Sequence, residues 1–318
     1  MYDAMTPTAE ISSSAAPDAA NSSAQAVDPM FIDALQDLLA KHCTPAVVRA
    51  VEGGEAQAAQ ILWRSIQDAG FADAMLPEAK GGAGLSLGQC FPLFELCGRY
   101  VLPLPLAETM VARAWALQHQ VPCPAEPVSL AWMDASVASF AGQNKSTAPL
   151  DTHLMRAALT AAHIAGALQR VLDMSLQYAN ERQQFGKPLG KFQAIQHQLA
   201  VMAEQVFAAR MAAQIGCSSM AQGNSAGDAA TWQPDPLRAA IAKARTSEAA
   251  VEVAALAHSI HGAIGFTEAF DLQLYTRRLH LWRQTASSES FWHQRLGESM
   301  MKSPDSTLDL LRACTDVV

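Results

Sequence analysis

The residues best suited to chemistry lie in one string, Tyr178 to Met202, which reads YANERQQFGKPLGKFQAIQHQLAVM. A charged segment, Arg182-Gln183-Gln184-Phe185-Gly186, separates two helical patterns there. A guanidinium offers charge and paired donors in one plane, the chemistry that grips a phosphate or a carboxylate. An arginine at a helix end also answers the helix dipole, and taken alone Arg182 says no more than that. A second string, Ser259-Ile260-His261-Gly262-Ala263-Ile264-Gly265-Phe266-Thr267-Glu268, places glycines where a ligand could lie against bare backbone. Gly262 would serve equally as a helix C-cap, with Gly265 opening a turn.

Both strings need helices to hold them. Pro188 has no N–H and biases Lys187 away from helix, so the turn cannot continue the preceding helix. Ile195, Leu199, Met202 and Val206 share one stripe, which predicts a helix from about Phe192 to Gln222. Upstream, Asp151 or Thr152 caps a long helix running to about Asn180. Its stripe is Leu154, Ala158, Ala161, Ala165, Leu168, Leu172 and Leu176, and its alanines and Gly166 allow close helix contact. A polar loop from Asn224 to Pro236 breaks the pattern. Helices are then expected at about Leu237–His261, Glu268–Arg283 and Ser288–Met301, with a short amphipathic piece around Leu308-Asp309-Leu310-Leu311. An antiparallel bundle is the simplest arrangement.

Residues 29–118 also read as helical, with stripes Phe31, Leu35, Leu38, Leu39 and Ile61, Leu62, Ile66, Phe71. Between those stripes and the next helix lies a glycine-rich loop, Leu76 to Ser86, with Ser86 as N-cap of that helix. No strand precedes the loop and no Gly-Lys-Ser/Thr comes after it, so phosphate binding is not indicated. From Val121 to Leu150 the chain is rich in Pro, Ala and Ser, with short apolar runs such as Val128-Ser129-Leu130-Ala131-Trp132, and has room for a couple of strands at most.

The chain has 318 residues, half of them hydrophobic, enough for two domains or one large helical body. A net charge of −8 and a pI near 5.6 argue against nucleic acid or an anionic membrane as the main partner. The six cysteines show no metal-ligand spacing and read as reduced thiols. No uninterrupted apolar run reaches the roughly 18 residues of a membrane span. Residues 1–28 lack a basic start and an apolar core, so a disordered tail is expected rather than a signal peptide, and a cytoplasmic location with it.

The Arg182 turn followed by Phe192-Gln193 resembles the flavin-binding turn of the acyl-CoA dehydrogenases. In that family the arginine reaches across a subunit interface to the pyrophosphate of a neighbour's FAD. The 259–268 string resembles the family's glutamine-isoleucine-histidine-glycine-glycine loop, with Ser259 in place of the glutamine and Ala263 in place of the second glycine. The Leu76–Ser86 loop resembles one in the family's amino-terminal helical domain, and Phe94 to Arg99 and Pro103 to Thr109 fit that domain too. The resemblance covers roughly residues 30–118 and 151–300.

The fold this implies is mainly α: helical amino-terminal domain 29–120, a truncated remnant of the β-domain or linker 121–150, a carboxy-terminal helical bundle 151–302 and a tail 303–318. The middle β-domain, which grips the flavin ring and the thioester, is largely missing. The family's base removes a proton α to a thioester, work for a carboxylate. One family seat corresponds to the region Arg278 to Ser287, which holds no acid before Glu289. The other corresponds to Arg156, and a guanidinium is no base. Glu289 reads as a solvated acid on another helix face, His280 as structural, and Glu268 as a cap or ion-pair partner. Trp282, Phe291 and Trp292 read as packing.

No catalytic residue and no metal site is therefore assigned. The resemblance narrows to the shortened, base-lacking subunit of bacterial α2β2 acyl-CoA dehydrogenases that act on steroid side chains. Arg182, Phe185, Phe192 and Gln193 would face a partner's FAD, with Ile260, His261 and Gly262 contributing backbone. The implied partner is a full-length acyl-CoA dehydrogenase-like subunit that holds the base and most of the acyl-CoA, with an electron-transfer flavoprotein as acceptor. The alternatives are a self-sufficient homo-oligomeric dehydrogenase with an unrecognised base, and a non-catalytic helical interaction protein.

Overall fold

A computed structural model describes residues 27–140, 150–218, 233–303 and 305–315. The expected tail over 1–26, the Asn224–Pro236 loop up to residue 232 and the stretch 141–149 lie outside the described residues.

Five helices come first: α1 (Pro29–His42), α2 (Pro45–Glu52), α3 (Ala56–Asp68), α4 (Phe91–Arg99) and α5 (Leu106–Gln118). Asp28 and Thr44 cap α1 and α2, each followed by a proline that has no N–H to leave unsatisfied. Leu35, Leu39, Leu62, Ile66 and Phe71 are buried, as their spacing requires. Ile61 is not: at 55% exposed it lies off the stripe of its neighbours Leu62 and Ile66. The Ser86 side chain accepts from the Gln89 N–H (3.3 Å) while Gln89 Oε1 accepts from the Ser86 N–H (2.8 Å). This reciprocal pair closes the turn before α4, whose own N-cap is Cys90.

The stretch from Val121 to Leu150, read as having room for a couple of strands at most, holds no strand among its described residues and one helix. Helix α6 spans Leu130–Phe140. The Leu130 N–H donates to Glu108 Oε2 at 2.7 Å, and the Thr109 hydroxyl bonds both the N–H and the C=O of Val128 at 3.0 and 3.1 Å. Side chains of α5 thus hold the start of α6 in place. Arg113, buried over Trp63, reaches Asp73 (2.8 Å) and the Ala125 carbonyl (2.7 Å), pinning the same segment to the amino-terminal helices.

The remaining helices are α7 (Thr152–Glu181), α8 (Gln193–Gly216), α9 (Pro236–His261), α10 (Leu272–Gln284), α11 (Glu289–Lys302) and α12 (Thr307–Thr315). Asp151 caps α7 by accepting from the Leu154 N–H. Helix α8 ends at Gly216, short of the expected Gln222, and α10 begins at Leu272 rather than Glu268. The segment ahead of α10 is a 3₁₀ turn, Gly262–Phe266, and a further turn closed by the Phe270 N–H donating to the Thr267 carbonyl at 3.2 Å occupies the residues where a helix from Glu268 would begin. Leu154 to Leu172 of the α7 stripe are buried, while Leu176 is exposed near the helix end.

Helices α7, α8 and α9 pack together, with α10 and α11 against α9 and α4 against α7. The α4–α7 crossing is as close as backbones allow. A Cβ built on Gly166 would stand 1.9 Å from the Glu95 carbonyl oxygen, and one on Gly98 would stand 1.9 Å from the His163 carbonyl oxygen. Each glycine faces the other helix's backbone, which explains Gly166 inside an alanine-rich helix. Arg210 of α8 forks onto Glu95 at 2.6 and 3.0 Å and ties α8 to the same crossing.

Pro236–Phe266 is long and apolar enough, by length and composition, to cross a membrane, although charged and polar residues interrupt its apolar runs. Its apolar character comes from alanines, and Ala239, Ala242, Ala249, Ala250 and Ala257 are buried against neighbouring helices. The only strands among the described residues are two of two residues each, β1 (Gln183–Gln184) and β2 (Lys187–Pro188). The fold is mainly helical, and the middle β-domain is largely absent.

Candidate functional site

Helix α7 delivers Arg182 to its own C-terminus, where the Arg182 N–H caps the Tyr178 carbonyl at 2.8 Å. Strands β1 and β2 pair antiparallel, Gln183 with Pro188 and Gln184 with Lys187. Phe185 and Gly186 are the two turn residues, with φ of 50° and 78°. Two positive φ values are the pattern of the type I′ hairpin, whose twist matches that of the strands it joins. Glycine suits that conformation; phenylalanine does not, and the left-handed region costs a residue with a Cβ about 1–2 kcal/mol. The hairpin closes where the Leu189 N–H donates to the Arg182 carbonyl at 2.8 Å.

The hairpin displays its side chains instead of burying them. Phe185 is 91% exposed and meets Phe192 edge-on with ring centroids 6.2 Å apart. Lys187 Nζ lies 4.3 Å from the Phe192 ring centre. The Arg182 guanidinium is exposed and in no ion pair or hydrogen bond among the described residues. Phe192 is the N-cap of α8 and offers no side-chain cap, so the first N–H groups of a 24-residue helix open beside the turn. Gln193, the first residue of that helix, is exposed.

The second string is arranged differently from the expectation. Ile260 and His261 are buried and form the last two residues of α9, with the Ile260 side chain packed in the core. His261 Nδ1 bonds the Ala257 carbonyl at 2.8 Å, and burial lowers the pKa of its ring, which holds it neutral. Exposed backbone begins at Gly262, whose φ of 65° ends the helix and whose missing Cβ would meet nothing within 4 Å. Ile264 and Phe266 then stand out at 43% and 67% exposure. Phe266 stacks on His258, with ring centroids 4.1 Å apart.

Two bridges missed in the sequence join these strings. The Tyr178 hydroxyl donates to the His261 carbonyl at 3.3 Å, and Gln198 Nε2 of α8 meets Ser259 Oγ at 3.2 Å. Tyr178 four residues before Arg182 and Ser259 three before Gly262 were the available signals, but neither spacing says that two distant helix ends meet.

The base positions hold no free acid. Arg156 faces Asp134 of α6 at 3.7 Å. Glu289 is not a solvated acid: it pairs with Arg283, whose Nε donates to Glu289 Oε2 at 2.9 Å, and this bond holds its carboxyl below the usual range. Glu268 is exposed, caps no helix and joins no ion pair among the described residues; Asp271 precedes α10 instead. His280 is exposed on α10, whereas Trp282 and Trp292 are buried. Lys243 was unforeseen. Fully buried in α9, it donates to Ser247 Oγ (2.7 Å) and to the carbonyls of Arg283 (2.9 Å) and Ser287 (3.1 Å). It thereby clamps the loop after α10, where Ala286 and Ser287 have φ of 53° and 71°. Burial lowers its pKa to about 8.

An exposed aromatic ring, an unpaired guanidinium, an uncapped helix N-terminus and open glycine backbone fit an anionic dinucleotide with an aromatic base. Among the described residues no cluster of His, Cys, Asp or Glu could hold a metal ion.

Comparison with known proteins places the chain. The N-terminal domain of the acyl-CoA dehydrogenases matches residues 27–119 and the C-terminal domain matches residues 151–285. The chain belongs to the acyl-CoA dehydrogenase family, whose cofactor is FAD. It is 28% identical to the acyl-CoA dehydrogenase IpdE2 of Mycobacterium tuberculosis, over 86% of this chain and 98% of that protein. Among solved structures it is similar in fold to the Tcur3481–Tcur3483 steroid acyl-CoA dehydrogenase, with a TM-score of 0.67 and 23% identity over 86% of this chain and 97% of that one. The ChsE4–ChsE5 complex from Mycobacterium tuberculosis gives a TM-score of 0.68 at 17% identity, over 87% of this chain and 98% of that one.

Proposed function

We propose that this chain is the non-catalytic subunit of a heteromeric acyl-CoA dehydrogenase and completes the FAD site of a catalytic partner. The observation that carries the reading is the hairpin at Phe185. A phenylalanine held at φ 50° and 91% exposed, beside an arginine with no ion pair or hydrogen bond among the described residues, buries almost nothing in the isolated chain. Such strain persists where a ligand or partner uses it.

Arg182 would neutralise the dinucleotide's pyrophosphate, Phe185, Phe192 and Gln193 would line its adenosine end, and Gly262 would give it bare backbone. FAD supplies the hydride acceptor when bound. The remaining chemistry, abstraction of the proton α to the thioester, needs a carboxylate that neither seat of this chain offers. The partner, a full-length acyl-CoA dehydrogenase-like subunit, would supply it along with most of the acyl-CoA contacts. The names of two similar structures, a steroid acyl-CoA dehydrogenase and a two-protein complex, support a heteromeric assembly and a steroid-derived thioester as substrate. An α2β2 stoichiometry, a side-chain acyl group, an electron-transfer flavoprotein as acceptor and a cytoplasmic location complete the proposal. Arg182→Ala, introduced into the complex with its partner, tests the reading. The variant should assemble and lose most of its FAD; wild-type FAD content would sink it.

A further inference from the structure

Tyr178 touches both halves of the candidate cofactor face. Its carbonyl receives the Arg182 N–H at 2.8 Å, so the last turn of α7 carries the arginine. Its hydroxyl donates to the carbonyl of His261, the residue before Gly262, at 3.3 Å. Its ring stacks on the His261 imidazole, with centroids 4.4 Å apart and planes 25° from parallel, and Phe270 meets it edge-on at 5.9 Å. His261 is itself held to α9 by its Nδ1 bond to the Ala257 carbonyl at 2.8 Å, so the ring that Tyr178 stacks on is anchored to that helix.

We propose that Tyr178 is a positioning residue: it sets the Arg182 turn and the Gly262 loop in register so that both can meet one dinucleotide. This rests on the cofactor-completing role proposed above. The two segments come from the C-terminal ends of different helices, 80 residues apart in the chain (182 to 262). Among the described residues the side-chain hydrogen bonds that join them are this one and Gln198–Ser259, and of these two it is Tyr178 that reaches the residue adjoining Gly262. The outer side of the ring faces a cleft of about 210 Å³ lined by Arg170, Gln177, Glu181 and Phe270 among others. With space there, packing alone does not fix the ring; the stack on His261 and the donated bond do.

The test uses the complex with its catalytic partner, stripped of flavin and titrated with FAD while flavin fluorescence and visible circular dichroism are followed. Tyr178→Leu should raise the FAD dissociation constant about tenfold or more, because a misplaced arginine no longer meets its phosphate. Tyr178→Phe keeps the stack and loses one long hydrogen bond, so the rise should be about two- to fivefold. A residue that only stabilises the fold would lower the melting temperature of the flavin-free complex and leave FAD affinity alone. Dissociation constants within about twofold of wild type for Tyr178→Leu, or unchanged for Tyr178→Phe, overturn the proposal. If Tyr178→Leu does not assemble, Tyr178→Phe decides by the same criterion. Arg182→Ala run alongside separates the two readings. If it weakens FAD while the Tyr178 variants do not, the positioning role alone falls; if it too has no effect, the cofactor-completing role falls with it.

Discussion

Replacing Phe185 with glycine separates what the hairpin needs from what a ligand needs. Glycine removes a left-handed strain of about 1–2 kcal/mol. Against that, a glycine loosens the unfolded chain by about 0.5–1 kcal/mol. The edge-on contact with Phe192, centroids 6.2 Å apart, is lost as well, at about 0.5–1.5 kcal/mol. The ring is 91% exposed, so almost no burial is forfeited. These terms cancel to within about 1 kcal/mol of zero, and the flavin-free complex of Phe185→Gly should melt within about 3 °C of wild type. FAD affinity should respond quite differently. An aromatic ring covered only in the complex contributes about 1.5 kcal/mol or more, which is about tenfold in the dissociation constant. Differential scanning fluorimetry and FAD titration on one preparation read both quantities. A melting temperature lowered by more than about 6 °C would make Phe185 a structural residue, and an unchanged dissociation constant would refute its role at the cofactor.

Gly166→Ala should destabilise the chain by about 2 kcal/mol despite alanine's better helix propensity, since its Cβ would stand 1.9 Å from the Glu95 carbonyl oxygen; urea unfolding reads the loss. His163 is buried against Trp282 with its pKa lowered from 6.5 to about 4. The unfolded chain therefore binds a proton that the folded chain refuses between those values, and stability drops as pH falls from 6.5 towards 4. His163→Phe should shift the acid-unfolding midpoint to lower pH; an unmoved midpoint would place the acid sensitivity elsewhere. For Lys243 the pKa is lowered from 10.5 to about 8, so the unfolded chain again binds more protons and stability rises with pH through that window. Lys243→Met should flatten this rise in a pH series of melting temperatures, and a slope as steep as wild type would contradict the assignment.

Where periodicity was long and strong, the sequence could be read directly. Asp151 at the start of α7, the Gly166 crossing and the break at Arg182 follow from local rules of capping, close packing and proline exclusion. Short segments were harder. Val128–Trp132 is apolar over too few residues to show a period, and Glu108 and Thr109, some twenty residues earlier, decide that a helix begins there. Ile61 sits next to Leu62, and a hydrophobicity count cannot say which of two neighbours turns inward. Lys243 escaped because a lysine on an alanine-rich helix reads as solvated. Its carbonyl partners, Arg283 and Ser287, are about forty residues away. For the site, the Arg182 turn was visible as a string. The burial of Ile260 and His261 was not, because it depends on how far α9 extends before Gly262 stops it.

On the proposed function, the hairpin of this chain serves a flavin held mainly by another subunit. Native mass spectrometry of the isolated chain, of its complex with the catalytic partner, and of the same complex carrying Arg182→Ala tests it most directly. The isolated chain should carry no FAD, the wild-type complex should carry it, and the Arg182→Ala complex should be intact but flavin-poor. FAD retained by the isolated chain, or by the Arg182→Ala complex at the wild-type level, would contradict the proposed function.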